Sequence, residues 1–183
     1  MDTRSSILHL ADHLVKDKGF NAFSFHDISK TIGIKTASVH YHFPTKTDLG
    51  VALVQDHIDR LERHIKRSAH LEPKARLESF FSVYIKLKAE DKVCLVGSLA
   101  TDLHSVDGAI KQELQKLGAI VLAWVTEILK EGRRKAIFAF AGAPRTKALM
   151  IITNMLGIVQ LSRLTKSADV AAVKRAILKE LKP

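Results

Sequence analysis

Cysteine is almost missing from this chain: one of its 183 residues is Cys, Cys94. A lone thiol cannot close an internal disulfide, which fits a reducing, cytoplasmic setting. Proline is scarce as well, with four in all, so few segments are barred from helix. No apolar run approaches the roughly 18 residues of a bilayer-spanning helix. The opening residues, MDTRSSILHLADHL, set charges among the apolar positions, unlike a secretion signal. The expectation is a soluble cytoplasmic protein without a membrane segment. Catalytic signatures are also lacking. There is no Gly-rich phosphate loop, no motif that sets a nucleophile beside a base, and no marked carboxylate pair. No cofactor is expected.

What is present is apolar and basic. Hydrophobic residues make up 46% of the chain, enough for a real core, which excludes disorder. The formal net charge is +10, which points to polyanionic partners. Acids are rarest at the end: residues 133–183 carry eleven Lys/Arg against two acids. Residues 1–50 are nearly balanced, with six Lys/Arg against five Asp, yet they hold five of the nine His. The basic tail reads first as a solvated helical surface. Any nucleic-acid reading of the front therefore needs evidence other than bulk charge.

Apolar spacing is helical nearly throughout. Ile7, Leu10, Ala11, Leu14 and Val15 trace one buried stripe. Gly19 ends that helix. Ser24 and Asp27 form a capping box that opens a second helix over about 25–31, and Gly33 supplies the left-handed turn after it. A third short helix covers about 36–42 and stops at Pro44. Thr45 and Asp48 make a second capping box, which opens a long helix to about Arg67. Further helices fit about 74–88, 93–104, 107–131, 145–164 and 169–181. Residues 132–144, bounded by Gly and Pro, read as a loop in which IFAF has no strand to pair with. The fold class is all-α.

Two short helices joined by a tight Gly-containing turn form a helix-turn-helix, whose second helix would enter a DNA major groove. Ile34, Val39 and Phe43 can pack on Ile28, Ile32 and Leu14. That leaves Lys35, Thr36, Ala37, Ser38, His40, Tyr41 and His42 on the other faces. Small residues at the helix start admit close approach of bases and phosphates. The rings one turn later can bond phosphate oxygens or touch thymine methyls. Metal is not expected: His40 and His42 point to different helix sides, and His9 and His13 lack further ligands.

Residues 5–50 also resemble the N-terminal domain of TetR-type transcriptional regulators. The carrying residues are Gly19-Phe20, Asp27-Ile28, Ile32-Gly33-Ile34, and Val39 through Lys46 with Leu49. The resemblance implies a DNA-binding head (1–50) and a helical body (51–183) that dimerises and often holds a small effector. By position it implies DNA contacts at Ser24, Phe25, Lys35, Thr36, Ala37, Ser38, His40, Tyr41, His42 and Lys46. Two positions depart from the common pattern. Lys35 replaces the Ser or Thr that caps the recognition helix, a role that Thr36 is expected to take, and His40 replaces Tyr.

A homodimer bound to a palindromic double-stranded operator is expected. Its faces would be Ala119, Leu122, Val125 and Leu129 on one helix, with Trp124 and Ile128 beside them. Leu149, Ile152, Met155, Leu156 and Val159 would supply the other. A candidate effector pocket lies around Phe80 and Tyr84, with Leu99, Leu103 and His104 opposite, although such a stripe is more often core than pocket. Cys94, at a helix start, is a candidate sensor of oxidants or electrophiles, against the plainer reading of a buried, inert thiol. The leading function is a transcriptional regulator of the repressor kind, released by a small effector or by thiol modification. Alternatives are a nonspecific architectural DNA binder and, less favoured, a small helical enzyme.

Overall fold

The helical period is obeyed along most of the described residues in the computed structural model, which describes residues 2–102, 106–166 and 168–183. The head region contains α1 (Thr3–Lys18), α2 (Phe25–Ile32), α3 (Thr36–His42) and the long α4 (Lys46–Ser68). There follow α5 (Pro73–Ala89), α6 (Leu95–Thr101), α7 (Gly108–Arg134), α8 (Pro144–Leu161) and α9 (Ala168–Glu180). One short 3-10 turn, Phe20–Ala22, intervenes, and no strand occurs among the described residues. Two compact units result: residues 1–60 with 94–117, and residues 61–93 with 118–183.

In the first unit Ile7, Ala11 and Val15 of α1 are buried, as are Ile28 of α2, Val39 of α3, and Leu49, Leu53 and Val54 of α4. Each large side chain so buried contributes about 1.5–3 kcal/mol. One polar cluster is sunk among them. Asp12 of α1 accepts hydrogen bonds from His57 Nε2 of α4 at 2.5 Å and from Lys16 Nζ at 2.6 Å. Burial pushes the Asp12 carboxyl up, but His57 and Lys16 outweigh it and hold the group well below the ordinary carboxylate range. Burial likewise pushes His57 down, against the pull of Asp12. The stable arrangement is an ionised Asp12 with His57 donating its Nε2–H. Ser98 of α6 donates to the Val15 carbonyl at 2.8 Å, taking up one acceptor of the last turn of α1.

In the second unit Leu77 and Phe81 of α5, Trp124, Val125, Ile128 and Leu129 of α7, and Ile151, Met155 and Val159 of α8 are buried together with Ile177 of α9. Pro73 and Pro144 occupy the first turns of their helices, where a missing N–H costs nothing. Two expectations need correction here. Val125, Leu129, Met155 and Val159 belong to this core and are not available to a second copy. Ala119, Leu122, Leu149, Ile152 and Leu156 are the members of those stripes left exposed or half-buried. The reason is the width of the apolar face: α8 is apolar on two sides, and the monomer claims one of them.

The second correction concerns residues 132–144. Gly132 does not end α7, which continues to Arg134. The turn comes at Ala136, whose φ of 55° is left-handed, and the Ile137 and Phe138 N–H groups fold back onto the Gly132 carbonyl at 2.8 and 3.1 Å. Gly132 is required by space: a methyl group there would overlap the Phe138 ring, with even the ring's first carbon at 3.0 Å. Phe138 is buried and cannot swing away without opening a hole. Gly132→Ala should therefore destabilise the protein by about 1–3 kcal/mol, despite the better helix propensity of Ala. Chemical denaturation would check this, and an unchanged or raised midpoint would contradict it.

Candidate nucleic-acid interface

The turn between α2 and α3 is built around one serine that sequence reading did not single out. Ser29, buried in α2, accepts the Gly33 and Ile34 N–H groups on its carbonyl at 2.9 and 3.0 Å. Gly33 makes this possible with a φ of 78°, a left-handed conformation open to glycine. The Ser29 hydroxyl donates to the His26 carbonyl at 2.9 Å, and so must accept from Thr36 Oγ1, also at 2.9 Å. Val39 and Phe43 then bury the inner face of α3.

This arrangement decides what each expected contact residue can do. Ser24 is spent on the cap: its hydroxyl donates to Asp27 Oδ2 at 2.7 Å, and its N–H bonds the same oxygen. These bonds lower the Asp27 carboxyl. Phe25 departs from expectation, because its ring is buried edge-on against His40 at 4.9 Å and positions that imidazole. Lys35 is the N-cap of α3 without a side-chain cap bond. Thr36 does not replace it, since it is already the first residue inside the helix and no side chain accepts a cap bond there. Its hydroxyl proton goes to Ser29, so what Thr36 keeps is an acceptor, suited to a base amino group rather than to a phosphate. Ala37 is exposed and Ser38 half-buried on the outer face.

Lys46 also departs from expectation. Its ammonium donates to the Phe23 carbonyl and lies 4.5 Å from the Phe23 ring centroid and 5.0 Å from that of Phe20. Desolvation lowers its pKa. Lys46 is a clamp between the start of α4 and the turn before α2, occupied on several sides at once.

The rings at the end of α3 face outward. Tyr41 is 84% exposed, with its ring edge-on to His42 at 5.2 Å. Tyr41, His42, Ala37, Ser38 and Ile34 line a shallow groove of about 360 Å³ together with Thr3 of α1. Thr3 was missed in the sequence, as was Arg4, whose guanidinium sits 5.1 Å over the Phe43 ring. Their only signal was position, at the first turn of a helix that packs on α3. His40 Nδ1 bonds the Pro44 carbonyl at 3.1 Å. A carbonyl can only accept, so the neutral ring has its one N–H engaged and presents a bare Nε2 outward. A neutral His40 therefore cannot donate to a phosphate; the imidazolium can.

Matches to known proteins agree with this geometry. Residues 7–53 match the family model described as bacterial regulatory proteins, tetR family, and residues 73–178 match the tetracyclin repressor-like C-terminal domain. The chain belongs to the TetR family. A TetR transcriptional regulator from Legionella pneumophila is 31% identical and superposes with a TM-score of 0.89, over 100% of this chain and 98% of that one. A TetR family regulator from Agrobacterium tumefaciens is 25% identical with a TM-score of 0.92, over 98% and 97%. The transcriptional repressor NemR of Escherichia coli is 20% identical over 92% of this chain and 87% of its own length, and its solved reduced form superposes with a TM-score of 0.82. The TetR family is one of DNA-binding transcription regulators rather than enzymes, and this chain is such a regulator.

Of the residues expected to line an effector pocket, Phe80 and Tyr84 are brought together on α5, with ring centroids 5.2 Å apart, and both are buried. Leu99 is buried in α6 of the other unit, and Leu103 and His104 lie outside the described residues. Cys94 is the N-cap of α6, where its Sγ accepts the Gly97 N–H at 3.1 Å. Burial pushes its thiol up, against those helix amides. Among the described residues no group of three or more His, Cys, Asp or Glu could hold a metal, and no helix is long and apolar enough to cross a membrane.

The His40 geometry has a measurable consequence. His40→Phe should weaken operator binding by roughly three- to tenfold, because the ring's hydrogen bond to the Pro44 carbonyl is lost. Fluorescence anisotropy with an operator duplex at constant salt measures this, and an unchanged affinity would remove the His40–Pro44 bond from the interface.

Proposed function

We propose that the protein is a homodimeric repressor that reads a palindromic operator with residues 1–50 and answers to a small effector through residues 51–183. The observation that carries the DNA reading is Tyr41, a large ring 84% exposed at the end of α3 beside His42 and above a groove lined by Ala37 and Ser38. A helix meant only to pack would not hold a phenol in water there. Phenol and imidazole suit the sugar-phosphate backbone, and the small residues before them suit base edges. Lys35, exposed at the start of α3, adds a flexible phosphate partner. Thr36, Ala37 and Ser38 are the base-side candidates. Ser24, Phe25 and Lys46 hold the head in shape.

A single head reads too few base pairs to find one genomic site, whereas two on a dyad read half-sites roughly 34–36 Å apart or a multiple of that. Dimerisation is supported by the apolar side chains that the monomer leaves exposed along and just beyond α8: Leu149, Met150, Leu161 and Leu164, the last 86% exposed. Repression, rather than activation, is supported by the names of two relatives, the repressors NemR and DhaR.

Release by a noncovalent effector is favoured over thiol modification, because Cys94 is half-buried and burial pushes its thiol up, away from the reactive thiolate. The thiol reading keeps one specific support, the similarity to the reduced form of Escherichia coli NemR.

Selection from random duplexes at stated salt tests the main reading. One palindrome should win by about a thousandfold or more over bulk sequence. A steep salt slope without such preference would mean an architectural binder. Tyr41→Phe should then weaken all sequences alike, whereas Ser38 or Thr36 substitutions should change which sequence wins. For the thiol, wild type and Cys94→Ser should keep the operator equally well in N-ethylmaleimide or peroxide; release confined to wild type would establish the redox route instead.

A further inference from the structure

Among the described residues, two buried side-chain polar atoms have no hydrogen-bond partner: Trp124 Nε1 of α7 and Arg76 Nε of α5. Both are N–H donors, and both lie in the same unit, on two helices joined by the Arg76–Glu131 ion pair at 2.6 Å. Buried donors are nearly always bonded, so two orphans in one region of a folded unit need a cause.

The surroundings of Trp124 are aromatic. Its ring stands edge-on to His64 of α4 at 5.5 Å and to Phe80 of α5 at 6.2 Å, and Phe80 in turn contacts Tyr84. His64 is already committed. Ser79 gives its hydroxyl proton to the Arg76 carbonyl at 2.7 Å, so its oxygen must accept from His64 Nε2 at 3.2 Å. The N–H of His64 is thereby spent, and the indole N–H remains open.

A trapped water would answer an isolated donor poorly, since a buried water needs about three polar partners, and the rings of Phe80 and His64 present faces and edges. A molecule with an apolar body and one accepting atom fits better: the body packs on the rings and the acceptor meets the indole. Charge is disfavoured. The Arg76 guanidinium is already charge-paired with Glu131 through Nη1, and Lys135 with Glu131 and Glu72. The positive charges here are thus balanced, although the Arg76 Nε–H stays open to a neutral acceptor.

We infer that Trp124 is the anchoring residue of the effector site, and that the effector is a small, uncharged, flat apolar molecule whose accepting oxygen takes the indole N–H. This deepens the reading above that residues 51–183 bind an effector, and rests on it. His64 makes the site consequential, because it lies on α4, the helix that begins at Lys46 and carries His57.

Trp124 is the sole tryptophan, so its emission reports on the site alone. The probes are acetophenone and 2-acetonaphthone, each paired with the alkene in which CH2 replaces the carbonyl oxygen. Both ketones should quench or shift the emission and bind about five- to tenfold tighter than their alkenes. By calorimetry that preference should vanish in Trp124→Phe, which keeps the packing and loses the donor; its fold is checked by circular dichroism and its Tm. The ketone–alkene comparison in the wild-type protein does not depend on the variant. Ketones that fail to bind at millimolar concentration, alkenes that bind equally, or a preference that survives in Trp124→Phe would each overturn the inference. Operator retention is measured separately. Ketones that bind without releasing DNA would sink the effector-released repressor and leave this site standing, whereas an operator found with no ketone bound would sink this site alone.

Discussion

The helix-turn-helix depends on Ser29 more than on any residue that faces outward. Its carbonyl receives two consecutive N–H groups from the turn, and its hydroxyl links the backbone of α2 to the first residue of α3. The angle between the two helices is thus set from both ends of the turn by one buried residue. Val39 and Phe43 keep α3 seated, and the remaining residues of that short helix are free to be chosen for what they touch. A recognition helix of seven residues has little stability of its own. It is ordered because its anchors are covalently close and mutually supporting.

The same economy appears around the head. Lys46 would be a phosphate ligand if it were free, but two aromatic rings and a carbonyl hold it, so its charge secures the entry to α4. Asp12 plays a matching part between α1 and α4, where a buried carboxylate is tolerated because His57 and Lys16 satisfy it. Removing one partner of such a cluster costs far more than the cluster contributes, since a buried charge is then left uncompensated. These groups make the head and the first part of α4 one body. The far end of α4, with His64, belongs to the other unit, and a single continuous helix therefore carries residues of both.

Chemistry at the two proposed faces follows from which protons are already engaged. At the DNA face, Thr36 and His40 each have their one proton committed inside the protein, to Ser29 and to Pro44. One becomes an acceptor, and the other becomes a donor only when charged. At the aromatic cluster of the body, His64 is committed through Ser79, and Trp124 is left as the open donor. Residue type alone would assign all four as general hydrogen-bonding groups; their partners divide them into distinct roles.

Much was legible in the amino-acid order because it depends on neighbours three or four residues apart. The all-α class, both capping boxes, the left-handed Gly33, the stop at Pro44 and the outward rings of α3 all rest on local spacing, which a linear reading captures. Gly132 shows where such reading ends: glycine suggests a helix stop, yet a ring folding back from Phe138 is what demands it. Ser29, the Asp12–His57 pair, the caging of Lys46 and the burial of Phe25 likewise join residues that meet only when helices pack. The same holds for Val125, Leu129, Met155 and Val159, whose stripes looked equally suited to a partner or to a core. Periodicity reports that a face is apolar; only packing decides what covers it, because burial is a property of the surroundings and not of the residue.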